Sequence, residues 1–167
     1  MIEEEIQRNA VYLHEAGHAV VAVEMGEDFI SVHCDGQHGY AVPAKKTSQP
    51  SVVDFMAYWG SFVTRMGGIA GESLELGRGH DTVFRAGDDI STFYGLAIAV
   101  NRSLGHDIQY LQDQMQDALL CAKDIVKRRE VEVRAVAEAL KLQPEMTKAE
   151  VLAVMQRALA GAAAQLP

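Results

Sequence analysis

Apolar residues recur at helical spacing through most of the chain and alternate at strand spacing in one short stretch. Ile6, Ala10, Leu13, Gly17, Val20 and Val21 fall three or four residues apart or adjacent, which predicts a helix from about 3 to 25 with Gly26 as its stop. Phe29 to Cys34 is β-rich and partly alternating, and Tyr40 to Ala44 reads as a returning strand in which Pro43 marks an edge or an end. The turn material Asp35-Gly36-Gln37-His38-Gly39 joins them into a short hairpin. Lys45 to Pro50 reads as a loop, and Ser51 with Asp54 as a capping box opening a helix from about 52 to 66. Gly67-Gly68 interrupts that helix, and a shorter one follows to about Leu76.

Gly77 to Gly87 is glycine-rich, polar and aperiodic, so it reads as a loop. Asp88 and Asp89 favour a helix N-terminus through the macrodipole, and that helix runs to about Leu104, where Gly105 stops it. From 107 to 141, Leu111, Met115, Ala118, Ala122, Ile125, Val133, Val136 and Leu140 mark one long amphipathic helix, or two with a break near Arg129. Pro144 ends this segment. Thr147 with Glu150 forms a second capping box, opening a last helix to about Ala163, and the tail from Ala162 to Pro167 is expected to fray. The fold class is therefore mainly α with a small antiparallel β element. A single domain over 1–167 is expected, with a core at about 3–105 and C-terminal helices at about 107–163.

Composition narrows the function classes. A chain of 167 residues that is 49% hydrophobic buries a core without a metal or disulfide staple, so a metal here would serve chemistry rather than folding. The net charge of −8 disfavours a nucleic acid partner. The one basic cluster, Lys127-Arg128-Arg129, sits in a helical stretch of mixed charge and reads as a solvated face. Cys34 and Cys121 form no CxxC pattern and suit a reducing compartment. The acidic start, Met1-Ile2-Glu3-Glu4-Glu5, is unlike a signal peptide, and no apolar run is long enough to span a bilayer. These features predict a cytoplasmic protein with no membrane insertion, in which the sequon Asn101-Arg102-Ser103 has no use.

The chemistry lies in His14-Glu15-Ala16-Gly17-His18, an HExxH pattern inside the first helix. Residues four apart share one helix face, about 6 Å along the axis, so two imidazoles can reach one ion at about 2.0–2.1 Å. Glu15 lies too far round to join them as a ligand and can instead act as general base on water at the metal. Zinc lowers that water's pKa from about 15.7 to about 7. By chance a chain of this length contains HExxH on the order of one time in two hundred. The apolar flanks Val11, Leu13, Ala19, Val20 and Val21 bury this helix, where two histidines would be an odd core choice. Gly17 costs about 1 kcal/mol against alanine in a helix interior, which implies close approach of another element.

A catalytic zinc site needs a third protein ligand and an open position. Position 24 is Glu24, which removes the pattern with a third histidine six residues on, and no cysteine precedes His14. Spacing leaves Asp35, His38, Glu72, His80, Asp81, Asp88, Asp89 and His106 as candidates.

His14-Glu15-Ala16-Gly17-His18-Ala19-Val20-Val21 resembles the active-site helix of the FtsH-type (M41) peptidase domain. Gly67-Gly68-Ile69-Ala70-Gly71-Glu72 is similar to that family's Gly-Gly-Arg-x-Ala-Glu-Glu segment, and Ala86-Gly87-Asp88-Asp89-Ile90 to its Gly-Ala-x-Asn-Asp-Leu segment. The resemblance covers about Ala10 to Met155. It implies an M41 peptidase-like helical domain in which Asp89 is the third ligand and Asp88 stands at the family's Asn position. Ile69 and Gly71 replace the family's Arg and first Glu, and the loop from Arg78 to Arg85 departs from its usual stretch. The family's ATPase and membrane anchor have no counterpart among these residues, since no Walker A pattern or apolar span occurs.

The resemblance thus implies a zinc metalloendopeptidase: His14, His18 and Asp89 bind Zn2+, and Glu15 is catalytic. Peptides or unfolded protein segments would be its substrates, without ATP, with a separate unfoldase partner or oligomeric assembly as further expectations. It also implies that a strand within 29–44 binds substrate backbone by strand addition. The alternative is a zinc-binding interaction or regulatory module that has lost catalysis, or a zinc hydrolase acting on a non-peptide amide. Tyr58, Trp59, Phe62 and Tyr94 are expected in the core, and His33 and His38 as polar hairpin residues.

Overall fold

The computed structural model describes residues 2–44, 55–76 and 87–164. It is mainly helical with one small antiparallel sheet. Helix α1 (Ile2–Glu24) leads into strands β1 (Phe29–Cys34) and β2 (Gly39–Pro43), then α2 (Phe55–Arg65), α3 (Gly67–Leu76) and α4 (Gly87–Leu104). A single 3-10 turn at Ile108–Tyr110 precedes α5 (Leu111–Arg128), α6 (Glu130–Leu142), β3 (Glu145–Thr147) and α7 (Lys148–Ala163). Among the described residues no helix is long and apolar enough to cross a membrane. The Ser51/Asp54 cap and the glycine-rich loop of residues 77–86 lie outside the described residues.

Helix α1 is the spine. From Ala10 to Ala22 nearly every residue is buried, because α3 packs across one face and α6 and the sheet cover others. The crossing with α3 is backbone to backbone. A Cβ on Gly17 would sit 2.2 Å from Gly67 O, and one on Gly71 would sit 2.0 Å from Leu13 O. The close approach read from Gly17 is therefore to α3, and three glycines make it. Gly26 and Gly105, at φ of 70° and 69°, end α1 and α4 at the expected places.

The sheet order is β2-β1-β3, so β1 is central and β2 an edge. The register pairs Val32 with Ala41 and His33 with Tyr40 on one side, and Val32 with Met146 on the other. Val32, Cys34 and Met146 turn into the core, while Ile30 stays 58% exposed. Strand β3 has no counterpart in the sequence reading. It consists of three residues after Pro144, held where Pro144 O accepts the Cys34 N–H at 2.8 Å. Its last residue, Thr147, also caps α7: Oγ1 accepts the Glu150 N–H at 3.3 Å, and Glu150 Oε2 accepts the Thr147 N–H at 2.8 Å. That capping box is the one expected, and α7 continues regularly to Ala163, past the expected start of fraying.

The long C-terminal pattern resolves into two helices broken at Arg129, whose φ and ψ of −107° and 22° leave the helical region. Arg129 is not a solvated surface residue. It is half-buried and bridges two carboxylates, donating through Nη2 and Nε to Glu24 and through Nη1 at 2.7 Å to Glu132, which is 2% exposed. Of the expected core aromatics, Phe62 is fully buried, whereas Tyr58, Trp59 and Tyr94 are half-buried at its margin.

Candidate metal centre

Three side chains from two helices converge on one point. His14 and His18 project from the same face of α1. Asp89 comes from the first turn of α4, four residues before Phe93, so both share the inward face of that helix. Phe93 is fully buried against Phe62 at 5.4 Å between centroids, which anchors α4 and aims Asp89 at α1.

The contacts are close. Asp89 Oδ2 lies 3.0 Å from His14 Nε2 and 3.2 Å from His18 Nε2. The two Nε2 atoms are 3.2 Å apart. Ligands of a tetrahedral zinc at about 2.0–2.1 Å are separated by about 3.3–3.4 Å, so the triangle fits with a few tenths of an ångström of opening. Among the described residues, these three form the cluster whose ligand atoms lie together.

The other ring nitrogens fix the tautomers. His14 Nδ1 donates to Glu72 Oε1 at 2.8 Å, and His18 Nδ1 donates to the Thr64 carbonyl at 2.8 Å. With both Nδ1 atoms protonated, both neutral rings present lone pairs at Nε2, facing each other and a carboxylate. Three electron-rich atoms about 3 Å apart repel unless a cation sits among them. A proton can play that part. Burial alone would lower the His14 pKa, but hydrogen bonds to Asp89 and Glu72, with the charges of Asp89 and Glu15, hold it up at about 10. Burial likewise works to raise the Asp89 pKa, and the two histidines reverse this, so it lies well below the ordinary carboxylate range. A divalent ion would replace the proton, with each imidazole acting as a neutral ligand oriented by its own acceptor.

Gly68 makes room for the pair, because a Cβ there would stand 2.4 Å from His14 Nε2 and 2.5 Å from His18 Nε2. Glu15 is 4% exposed, and its Oε2 has no hydrogen-bond partner among the described residues. A Cβ on Gly39 would lie 2.2 Å from its Cγ, so the start of β2 closes over this carboxylate. Burial raises the Glu15 pKa, and the positive charge available on His18 and His14 only partly offsets that. A buried carboxylate with a raised pKa and one oxygen without a partner among the described residues is suited to take and return a proton.

His14, Glu15, His18, Thr64 and Asp89 border one cleft of about 1110 Å³ between α1, β2, α2 and α4. Tyr58, Arg65, Asp88 and Tyr40 contribute to its walls. The remaining candidates among the described residues stand apart from the cluster. Asp35 is exposed and accepts the Gln37 and His38 N–H groups at 2.8 and 2.7 Å, a turn role. His38 is exposed at the cleft rim, and His33 stacks on Tyr40 at 5.0 Å. Asp88 is exposed, and His106 is exposed beyond α4. His80 and Asp81 lie outside the described residues. Glu72 is not among the three converging atoms. It is 3% exposed and supports His14 from behind, a role that spacing alone could not show. Compared with known proteins, the chain matches no family model, and no curated protein matches its sequence.

Proposed function

We propose that this chain is a zinc-dependent metallopeptidase of the FtsH (M41) type, with His14, His18 and Asp89 as metal ligands and Glu15 as general base. The observation that supports it most is the meeting of His14 Nε2, His18 Nε2 and Asp89 Oδ2 within 3.2 Å beside a buried glutamate whose Oε2 has no partner among the described residues. Asp89 was singled out by the resemblance, 71 residues after His18, so its arrival in the cluster is not a local effect of the helix. The donor set of two nitrogens and one oxygen is that of catalytic zinc, leaving a fourth position open. Zinc, when bound there, supplies Lewis acidity: it brings the pKa of water toward neutrality and polarises a carbonyl oxygen.

The chain's own groups supply the rest. Glu15 accepts a proton from attacking water through its free Oε2 and returns it to the leaving amine, which its raised pKa favours. Glu72 and the Thr64 carbonyl hold the two rings in the tautomer that offers Nε2. The edge strand β2 lines the cleft and, among the described residues, pairs with β1 alone, so an extended peptide can add to its other side by main-chain hydrogen bonds. Such binding suits peptides and unfolded segments rather than folded proteins, and a separate unfoldase would widen the substrate range.

Purified chain loaded with zinc should cleave a fluorogenic unstructured protein such as casein without ATP, and a chelator should stop it. Glu15→Gln should retain zinc and lose turnover. Full activity in that variant would remove Glu15 from the mechanism. Stoichiometric zinc with no hydrolysis of any peptide would instead favour the catalytically lapsed module.

A further inference from the structure

Three buried side-chain atoms have no hydrogen-bond partner among the described residues: Glu15 Oε2, Thr64 Oγ1 and Arg65 Nε. All three residues line the same cleft. An unmet buried polar atom costs stability and is uncommon in folded chains, so three in one cleft point to something that belongs there. The proposed mechanism uses Glu15. It leaves Thr64 Oγ1 and Arg65 unused.

Arg65 is unusual on three further counts. It is the one lysine or arginine among the described lining residues, which also include Glu27, Asp28, Asp88 and Asp89. Two of these carboxylates are engaged elsewhere: Asp28 pairs with Lys148 at 2.8 Å, and Asp89 belongs to the histidine cluster. Burial, only partly offset by the charges of Asp89 and Glu27, lowers its pKa, so the fold holds a guanidinium where its charge is poorly solvated. Its place is also fixed relative to the chemistry, because the adjacent Thr64 carbonyl accepts the His18 Nδ1 proton at 2.8 Å. A half-buried guanidinium with no ion pair among the described residues, beside the proposed hydrolytic centre, is suited to a carboxylate that arrives with the ligand, since the paired fork geometry is strong and selective.

We propose that Arg65 is a specificity-determining residue that receives a carboxylate of the bound peptide, within a residue or two of the scissile bond. That carboxylate comes from a free C-terminus or from an aspartate or glutamate side chain. Thr64 Oγ1 supplies an additional hydrogen bond on the same wall. The inference rests on the cleft being a peptide site, and its test is separable from hydrolysis.

Zinc-loaded Glu15→Gln chain, which should bind without turnover, is titrated into three fluorescein-labelled octapeptides of one neutral core, read by anisotropy. One is C-terminally amidated, one has a free C-terminus, and one is amidated with a penultimate glutamate. At least one carboxylate-bearing peptide should bind about tenfold tighter than the neutral amide, and which one does so identifies the source. Arg65→Gln in the same background should abolish the difference, and Arg65→Glu should reverse it. If Arg65→Gln fails to fold, judged by circular dichroism and zinc content, Arg65→Lys should still shrink the preference several-fold. Equal binding of all three peptides, binding of none, or a preference that survives loss of Arg65 would overturn the inference. Hydrolysis by the wild-type chain with no such preference would leave the peptidase reading standing. Arg65-dependent binding with no hydrolysis would do the reverse.

Discussion

Glu72→Gln isolates the support behind a proposed metal ligand without touching the ligand itself. Glu72 Oε1 accepts the His14 Nδ1 proton at 2.8 Å, and the carboxylate is 3% exposed. Glutamine keeps the volume and an acceptor oxygen, so the fold should survive with a change below about 1.5 kcal/mol. It removes the negative charge that makes the imidazole a better donor to a metal. Loss of such an outer partner typically weakens metal affinity by about 10–100-fold, equivalent to about 1.4–2.7 kcal/mol. Glu72→Ala goes further, because it leaves Nδ1 buried without an acceptor, at a cost of about 1–3 kcal/mol to stability as well. The assay is competition for zinc against a chromophoric chelator, with thermal melts of the metal-free proteins run in parallel. Zinc affinity of Glu72→Gln within about twofold of wild type, at an unchanged melting temperature, would refute the assignment of Glu72 as the orienting partner of His14.

Gly68→Ala should reduce zinc binding severely while far-UV circular dichroism stays helical, because its Cβ would meet both Nε2 atoms at 2.4–2.5 Å; normal zinc uptake would mean the pair is wrongly placed. Zinc binding at pH 7 should release close to one proton, since His14, held up at about 10, is protonated in the metal-free site and must be neutral as a ligand, whereas Asp89 is already ionised. The apparent affinity should therefore rise by about a decade per pH unit between neutrality and pH 10; calorimetry in buffers of different ionisation enthalpy checks this, and zero proton release would contradict it. Arg129→Met strands Glu132, which is 2% exposed, and should destabilise the chain by about 3–5 kcal/mol in denaturant melts, with Glu132→Gln recovering part of that loss.

What the sequence discloses here follows the range of the interactions involved. His14, Glu15 and His18 are legible because one turn of helix fixes their relation. The Thr147/Glu150 cap and the glycine stops at Gly26 and Gly105 are legible for the same reason. Gly17 was readable as a close approach, but not as the crossing with Gly67 and Gly71, which depends on how α3 docks. Asp89 could be selected among eight candidates only through the resemblance, since 71 residues separate it from His18. The Glu72 role, the half-buried Arg129 bridge and β3 are hidden, because each is defined by a partner distant in sequence. A three-residue strand with one inward side chain, Met146, leaves no periodic trace.

The central claim is that a divalent cation sits among His14 Nε2, His18 Nε2 and Asp89 Oδ2. Zinc K-edge X-ray absorption on chain dialysed against limiting zinc tests it directly. One ion per chain is expected, with two imidazoles and light oxygen scatterers at about 2.0–2.1 Å, and with loss of stoichiometric binding in Asp89→Ala. Sulfur scattering at about 2.3 Å, a single imidazole, or an unchanged spectrum in Asp89→Ala would contradict it.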